Sequence, residues 1–227
     1  MMIDTDDLLN SIADSFNRMT YIKSSEIPNI DLYMDQVTTF MDERLKASTR
    51  YKKDDDKLMT KTMINNYAKN DVIPPPVRKK YTKDHVFVLI MIYYFKSILQ
   101  INDIKELMDP ILESFFDTDK VYGMEDIYNG IFDGMGAELA KVRADVERAY
   151  EESLDTFEDA PENEKDYLKL YSFVCKLGCD VFVKKLLIEK IIDSLKEHKE
   201  EKSEADKSKE KSKESKNDAA VDKKGKK

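Results

Sequence analysis

The chain has 227 residues, of which 46 are Asp or Glu and 38 are Lys or Arg, so its formal charge is −8. This length allows one large or two small domains, and the acidic balance argues against a generally basic protein that coats nucleic acid. The absence of Trp and the low content of Gly and Pro, six of each, predict a mainly α fold.

The N-terminal sequence MMIDTDDLLNS is acidic where a secretory signal is basic. The longest purely apolar run, residues 86–95, has about half the length that a helix needs to cross a bilayer. We therefore expect a cytoplasmic protein that does not associate with a membrane. Cys175 and Cys179 share one face of a predicted helix, and we expect both to be small core residues of a reduced protein.

Amphipathic periodicity and capping residues predict two helices near the N-terminus. Thr5 caps the first helix. Asp31 starts the second helix, which continues to Leu45. Residues 48–57 (STRYKKDDDK) are then expected to form a solvated loop.

Two further caps predict the next helices. Thr60 caps a short helix, which three consecutive prolines prevent from continuing. Thr82 opens a helix that runs to about Leu99 and is apolar on nearly every side, so it belongs at the centre of the core. A shorter helix is expected over about residues 102–108, ahead of Pro110.

The second half of the chain is strongly acidic, with a net charge of −14 over residues 103–164. A helical stripe of apolar residues lies between Leu139 and Tyr150, and residues 166–195 predict one long helix or two helices that meet at Gly178. After His198 the composition is almost entirely Lys, Glu, Ser and Asp, which predicts disorder. We expect the apolar helices of this half to form a homodimer.

A basic segment interrupts this acidic sequence. Seven bases and one acid lie between Lys57 and Lys83, giving a local charge of +6. Such a patch releases condensed counterions from a DNA duplex, and this effect supplies most of the affinity that does not depend on sequence. An ordinary solvated charge run is the alternative interpretation.

The order of elements around this segment resembles the MerR-like winged helix-turn-helix domain. Thr60 stands at the cap of the recognition helix, and Val72, Ile73 and Pro75 follow that helix as an apolar pair and a proline. A basic turn then leads to Tyr81 and Thr82 at the start of the next helix. The match covers about 50 residues and implies a winged helix-turn-helix. Together with the helices predicted for the second half, the expected fold is a MerR-like winged helix-turn-helix followed by a helical C-terminal region.

The chain also departs from the MerR pattern. Asn65 stands where the recognition helix usually has Arg, and Asn66 stands where its first aromatic residue is usual. Asp71 replaces the Gly that usually ends this helix. The wing sequence PPPVRKK is short and contains no Gly, so we expect it to contact phosphates differently.

Three segments are similar to an uncharacterised bacterial family, domain of unknown function 1836. They are IPNIDLYMDQVTTFMDERL, LMTKTMINNYAKNDVIPPPVRKKYTKDH and IYYFKSILQINDIKEL. The resemblance supports the helix-turn-helix and implies no activity. We divide the chain into an N-terminal amphipathic helix (1–27), a MerR-like helix-turn-helix domain (28–108), a helical dimerisation or regulatory region (109–198) and a disordered charged tail (199–227).

The residues that we predict to bind DNA lie on the recognition helix and the basic turn. Asparagine amides can bond both edge groups of an adenine, whereas lysine and arginine bind phosphates and set the register. A polar solvent face is the alternative for the two asparagines, and a core position is the alternative for the tyrosine. The set is Lys61, Thr62, Asn65, Asn66, Tyr67, Lys69, Arg78, Lys79, Lys80 and Lys83.

No enzyme is predicted, because the sequence assembles no nucleophile, base and oxyanion donor. His85 lies in the first turn of an apolar helix, where a buried structural histidine is expected. We expect neither a metal nor a cofactor. The predicted function is that of a transcriptional regulator that binds double-stranded DNA as a homodimer. The alternative is a protein–protein interaction module that binds a partner at the basic patch of residues 78–83.

Overall fold

The computed structural model describes the backbone of residues 5–19, 21–46 and 58–222, and the side-chain surroundings of residues 10–202 outside the same gaps. The protein is mainly helical, as the composition predicts. Its contacts divide it into two units, residues 1–185 and 186–227. The second unit contains the C-terminal part of a single helix.

Helices follow one another along the chain with one small sheet between them. Strand β1 (Leu32–Tyr33) pairs antiparallel with β2 (Lys80–Tyr81), so that Leu32 lies opposite Tyr81. A 3₁₀ turn occupies Ser24–Glu26. The helices are α1 (Thr5–Arg18), α2 (Met34–Leu45), α3 (Lys61–Lys69), α4 (Lys83–Phe95), α5 (Ile101–Phe115), α6 (Met124–Phe132), α7 (Met135–Leu154) and α8 (Glu162–Asp222).

Helix α4 forms the centre of the core, as its apolar sequence predicts. Every residue from Val86 to Ile92 is buried. Helix α6 packs on it, with the rings of Phe87 and Tyr128 4.6 Å apart and those of Tyr94 and Phe132 5.6 Å apart. Each fully buried side chain of this size contributes about 1.5–3 kcal/mol of transfer free energy. Helix α6 has no counterpart among the helices predicted from the sequence.

The starts and ends of two predicted helices are corrected. Helix α2 begins at Met34 rather than Asp31, because the preceding two residues are extended in β1. The backbone N–H of Tyr33 donates to Gln36 Oε1 at 2.8 Å and so caps α2. Helix α4 ends at Phe95 rather than Leu99, where a tight turn follows.

Pro110 lies inside α5, which extends to Phe115, so the prediction that the helix ends before this proline is wrong. An interior proline costs about 3 kcal/mol because it removes one hydrogen bond and crowds the preceding turn. Ile104 and Met108 of the same helix are buried, and their transfer free energy is of the same size. Packing therefore offsets the local penalty.

The C-terminal half keeps the predicted α7 and resolves the ambiguity at Gly178 in favour of one unbroken helix, α8. The helix continues to Asp222, whereas the composition predicts disorder from residue 199. Lys, Glu and Ala are good helix formers, and residues 199–222 contain neither Gly nor Pro. Cys175 and Cys179 are exposed, so the prediction that they are core residues is wrong.

The predicted polar loop 48–57 lies outside the described residues. In the part of the chain that the structure describes, no helix is long and apolar enough to cross a membrane.

Candidate nucleic-acid interface

Helix α3 presents a single polar face to solvent. Its first turn is capped as predicted, with the N–H of Met63 donating to Thr60 Oγ1 at 3.2 Å. Ile64 and Tyr67, three residues apart, are buried and fix the rotation of the helix. The residues exposed on the other side have helical spacing and are Thr62, Asn65, Asn66 and Lys69.

The end of α3 is held by backbone geometry. Asp71 has a positive φ of 54°, the left-handed conformation that usually ends a helix at glycine. Aspartate adopts this conformation at lower cost than most residues, because its short side chain bonds locally. The N–H of Val72 donates back to the Tyr67 carbonyl at 2.8 Å, and Lys105 Nζ donates to the Asp71 carbonyl at 3.2 Å. Asp71 therefore forms the turn that ends α3 although it is not glycine.

The predicted wing is a tight hairpin whose tip is basic. The N–H of Lys80 donates to the Val77 carbonyl at 2.9 Å, and both central residues, Arg78 and Lys79, have positive φ, at 52° and 64°. Positive φ at both central positions distinguishes the type I′ turn, which suits the twist of a two-stranded ribbon. Neither residue is glycine, so each stores local strain of about 1–3 kcal/mol. Both side chains are exposed.

Strand β1 pairs with the hairpin and holds it in place. This strand is not predicted from the sequence. Tyr33 lies opposite Lys80 in the sheet, and Lys80 Nζ is 5.5 Å from the centroid of the Tyr33 ring. This distance allows a cation–π contact, which restrains the lysine. No local sequence pattern predicts the pairing, because the two strands lie almost fifty residues apart, with α2 and α3 between them.

Two of the predicted phosphate ligands have acidic partners. Lys61 forms an exposed ion pair with Asp35 of α2. Lys83 Nζ lies 2.8 Å from Glu125 Oε1 of α6, and its side chain is only 19% exposed. Lys83 therefore joins α4 to α6, and we withdraw it as a phosphate ligand. Its partner is 42 residues away in sequence, too far for a local pattern to reveal.

Tyr67 is a packing residue. It is 8% exposed, and burial raises the pKa of its phenol. Tyr67 is therefore better described as a core residue, which is the alternative considered from the sequence, than as a phosphate ligand. Of the cations predicted to bind phosphates, those that remain on the surface are Lys61 in its ion pair, Lys69, Arg78, Lys79 and the partly exposed Lys80.

The connection between α2 and α3 is longer than a helix-turn-helix normally has. It spans residues 46–60, whereas the usual turn has about three or four residues. Its exit is fixed, since the N–H of Leu58 donates to Asp42 Oδ1 at 2.9 Å and the Leu58 carbonyl accepts from Lys96 Nζ at 2.6 Å. Helix α2 nevertheless packs against both α3 and β2.

Nothing in the described ranges resembles a metal centre, since no group of three or more His, Cys, Asp or Glu side chains there could hold an ion. His85 is buried as predicted, and its Nδ1 accepts the N–H of Thr82 at 3.0 Å. It therefore occupies the place of Glu or Gln in a capping box at the start of α4.

These features define a mainly helical domain in which helix α3, with its exposed polar face, and strand β2 of the basic hairpin both pack on α2. Residues 22–131 match the family model described as Domain of unknown function (DUF1836), which supports the predicted resemblance for this region. A search of curated proteins and a search of solved structures gave no match. The matched region begins before β1 and ends within α6, so all of α1, α7 and α8 lie outside it.

Proposed function

We propose that the protein is a transcriptional regulator that binds double-stranded DNA as a homodimer through a MerR-like winged helix-turn-helix. The exposed face of α3 carries this proposal. Thr62, Asn65, Asn66 and Lys69 have the spacing of one helix face and offer hydroxyl, amide and ammonium groups. A helix fits the major groove, where such groups read base edges.

The basic hairpin supports the same proposal. Arg78 and Lys79 project from a rigid type I′ turn, and their backbone strain is of the kind that persists at functional sites. In the proposed complex these two side chains and Lys69 bind phosphates and set the position of α3, while Asn65 and Asn66 contact bases. The acidic region 103–164 repels phosphate and so favours binding through the basic face.

The first test measures binding of the full chain to a pool of genomic DNA fragments across a salt series. We expect affinity to fall steeply with salt and a two-fold symmetric site to be enriched. The double variant Arg78→Glu/Lys79→Glu should lower affinity for all sequences alike and reduce the log–log salt slope by about two, close to one for each lost phosphate contact. Absence of binding at low salt would contradict the proposal.

Two control variants accompany this test. The first asks whether the position of the changed charges matters, and the second asks whether a residue contacts bases rather than phosphates. Lys141→Glu/Arg143→Glu makes the same change of charge on the exposed surface of α7 and should leave DNA affinity nearly unchanged. Asn65→Ala should relax preference at one base position by about 1–3 kcal/mol without changing the salt slope. Equal loss on every sequence for Asn65→Ala and for the hairpin variant would contradict the assigned roles.

The alternative function is a protein-interaction module with the same fold. The ion pairs of Lys61 and Lys83 favour it, because they reduce the positive charge available to DNA. A partner protein would then bind the basic patch of residues 78–83. A pull-down that requires Arg78 and Lys79, together with no DNA binding at low salt, would support this function.

A further inference from the structure

We propose that a second copy of this chain covers an exposed apolar stripe on α8, with residues 164–185 of the two copies packed antiparallel. This inference supplies the interface of the homodimer in the proposed function. It is tested without DNA, so either proposal can fail alone.

The stripe lies on the side of α8 that α7 leaves uncovered. Phe173, on another face of α8, is buried and its ring centroid is 5.4 Å from that of Tyr150 of α7. Lys176 Nζ of α8 lies 2.8 Å from Glu152 Oε2 of α7. The stripe itself recurs with helical spacing, is 55–70% exposed, and consists of Tyr167, Tyr171, Val174, Val181 and Phe182.

Gly178 lies within this stripe and has no explanation inside the chain. A Cβ atom at this position would meet nothing within 4 Å. Glycine in the interior of a helix is destabilising relative to alanine, so a glycine in open space brings the monomer no benefit. It does leave room for a large side chain from outside. The two cysteines flanking it, Cys175 and Cys179, are also exposed, although free cysteine is among the most buried residue types.

The stripe is complementary to itself in one direction. When two copies run antiparallel about a two-fold axis between residues 174 and 175, Tyr171 lies opposite Gly178, so that a large side chain faces the open position. Tyr167 then lies opposite Phe182. At the two ends of the stripe, Glu164 of each copy faces Lys185 of the other, which joins opposite charges. Such a two-fold interface closes on itself and produces a dimer.

A parallel pairing is disfavoured by the same residues. It would place each residue opposite its own copy, so that Gly178 faces Gly178 and Tyr171 faces Tyr171. It would also place Glu164 against Glu164 and Lys185 against Lys185, which brings like charges together. Size and charge therefore both select the antiparallel arrangement.

The exposed apolar area of two copies approaches that of a small specific interface. An aromatic side chain buries about 150–250 Å², so the three exposed rings of each copy offer on the order of 400 Å². The two copies together therefore supply about 800 Å² from aromatic residues alone, against about 1,200–2,000 Å² for a specific interface. Val174, Val181 and Cys175 add to this area.

Sedimentation equilibrium of the full chain without DNA tests the interface. We expect a particle of twice 26.5 kDa at micromolar concentration. Phe182→Glu should raise the dimer dissociation constant at least tenfold. The neighbouring Val183→Glu introduces the same charge at an exposed position on another side of α8 and should have little effect. A wild-type monomer, or equal effects of the two variants, would overturn the proposal, provided that circular dichroism shows unchanged helicity.

Cross-linking tests the direction of pairing. In a Cys175→Ser/Cys179→Ser background, Glu164→Cys and Lys185→Cys are prepared separately and then mixed. A short bismaleimide should join the mixed pair and should not join either variant to itself. The two positions are 21 residues apart, about 30 Å along a helix, so identical residues of an antiparallel pair are out of reach. Self-linking of either variant would overturn the antiparallel register.

Discussion

His85 connects the start of α4 to the packing beneath the hairpin. Its Nδ1 accepts the N–H of Thr82, and its ring makes edge contacts with Tyr81 and Phe116 at centroid distances of 5.4 and 4.8 Å. The buried Nε2 makes no hydrogen bond to any described residue. Burial lowers the pKa of the ring, because the charged form loses its hydration in this environment.

This environment predicts a loss of stability in mild acid. The folded protein holds His85 neutral below the unfolded pKa of 6.5, so the unfolded chain binds more protons there. The free energy of unfolding should therefore be highest above this pH, fall as the pH drops below about 6.5, and level off below the folded pKa. Urea unfolding between pH 8 and 5 measures this dependence.

His85→Gln is the matched variant for this experiment. Glutamine at the third helical position of a capping box still accepts the N–H of Thr82 but does not titrate. Nearby carboxylates such as Asp84, whose pKa is raised by burial, remain in both proteins. The difference between the two pH profiles isolates the histidine, and identical profiles would contradict its assigned role.

Among the elements, the stability of α3 depends on its cap. Thr60→Ala removes the hydroxyl that accepts the N–H of Met63 and should lower the free energy of unfolding by about 1 kcal/mol. Thr62→Ala lies on the exposed face of the same helix and should instead raise it by up to about 0.6 kcal/mol through helix propensity. Denaturant unfolding measures both, and effects of equal sign would contradict the assignment of the cap.

The sequence predicts those elements whose determinants are local. Caps at Thr60 and Thr82 and apolar periodicity predict α3, α4 and α7 because a helix is specified by residues within a few turns of one another. The pairing of β1 with β2 joins residues about 48 positions apart and has no local signature. The helix across Pro110 depends on tertiary packing, which overrides the local preference for a break.

The candidate site likewise contains features with local determinants and features that depend on tertiary packing. The residues of α3 from Thr62 to Lys69 are predicted from the resemblance to a recognition helix, and helical spacing, through Ile64, accounts for the burial of Tyr67. The ion pair between Lys83 and Glu125 depends on how α4 and α6 pack. Composition therefore overestimates the charge that the basic segment offers to a ligand.

At the scale of the whole molecule, a buried hydrogen bond joins the two ends of the matched region, residues 22–131. The Tyr128 hydroxyl in α6 donates to the Ile22 carbonyl at 2.5 Å, across 106 residues of sequence. Burial raises the pKa of this phenol. The first and last segments of the matched region therefore depend on each other.

Tyr128→Phe should lower the free energy of unfolding by about 1–3 kcal/mol, because it leaves the Ile22 carbonyl without its partner. Tyr122→Phe removes a hydroxyl from an exposed tyrosine and should change stability by less than about 0.5 kcal/mol. Chemical unfolding of the full chain compares the two. A small effect at Tyr128 would show that the hydrogen bond contributes little to joining the two ends.

Leu58 is tied to two neighbouring elements. Its N–H donates to Asp42 of α2, and its carbonyl accepts from Lys96 at the end of α4. The backbone just ahead of α3 is therefore held by side chains distant in sequence. A substitution at the end of α4 can consequently shift the start of α3 through Lys96, although the two residues in contact are 38 positions apart.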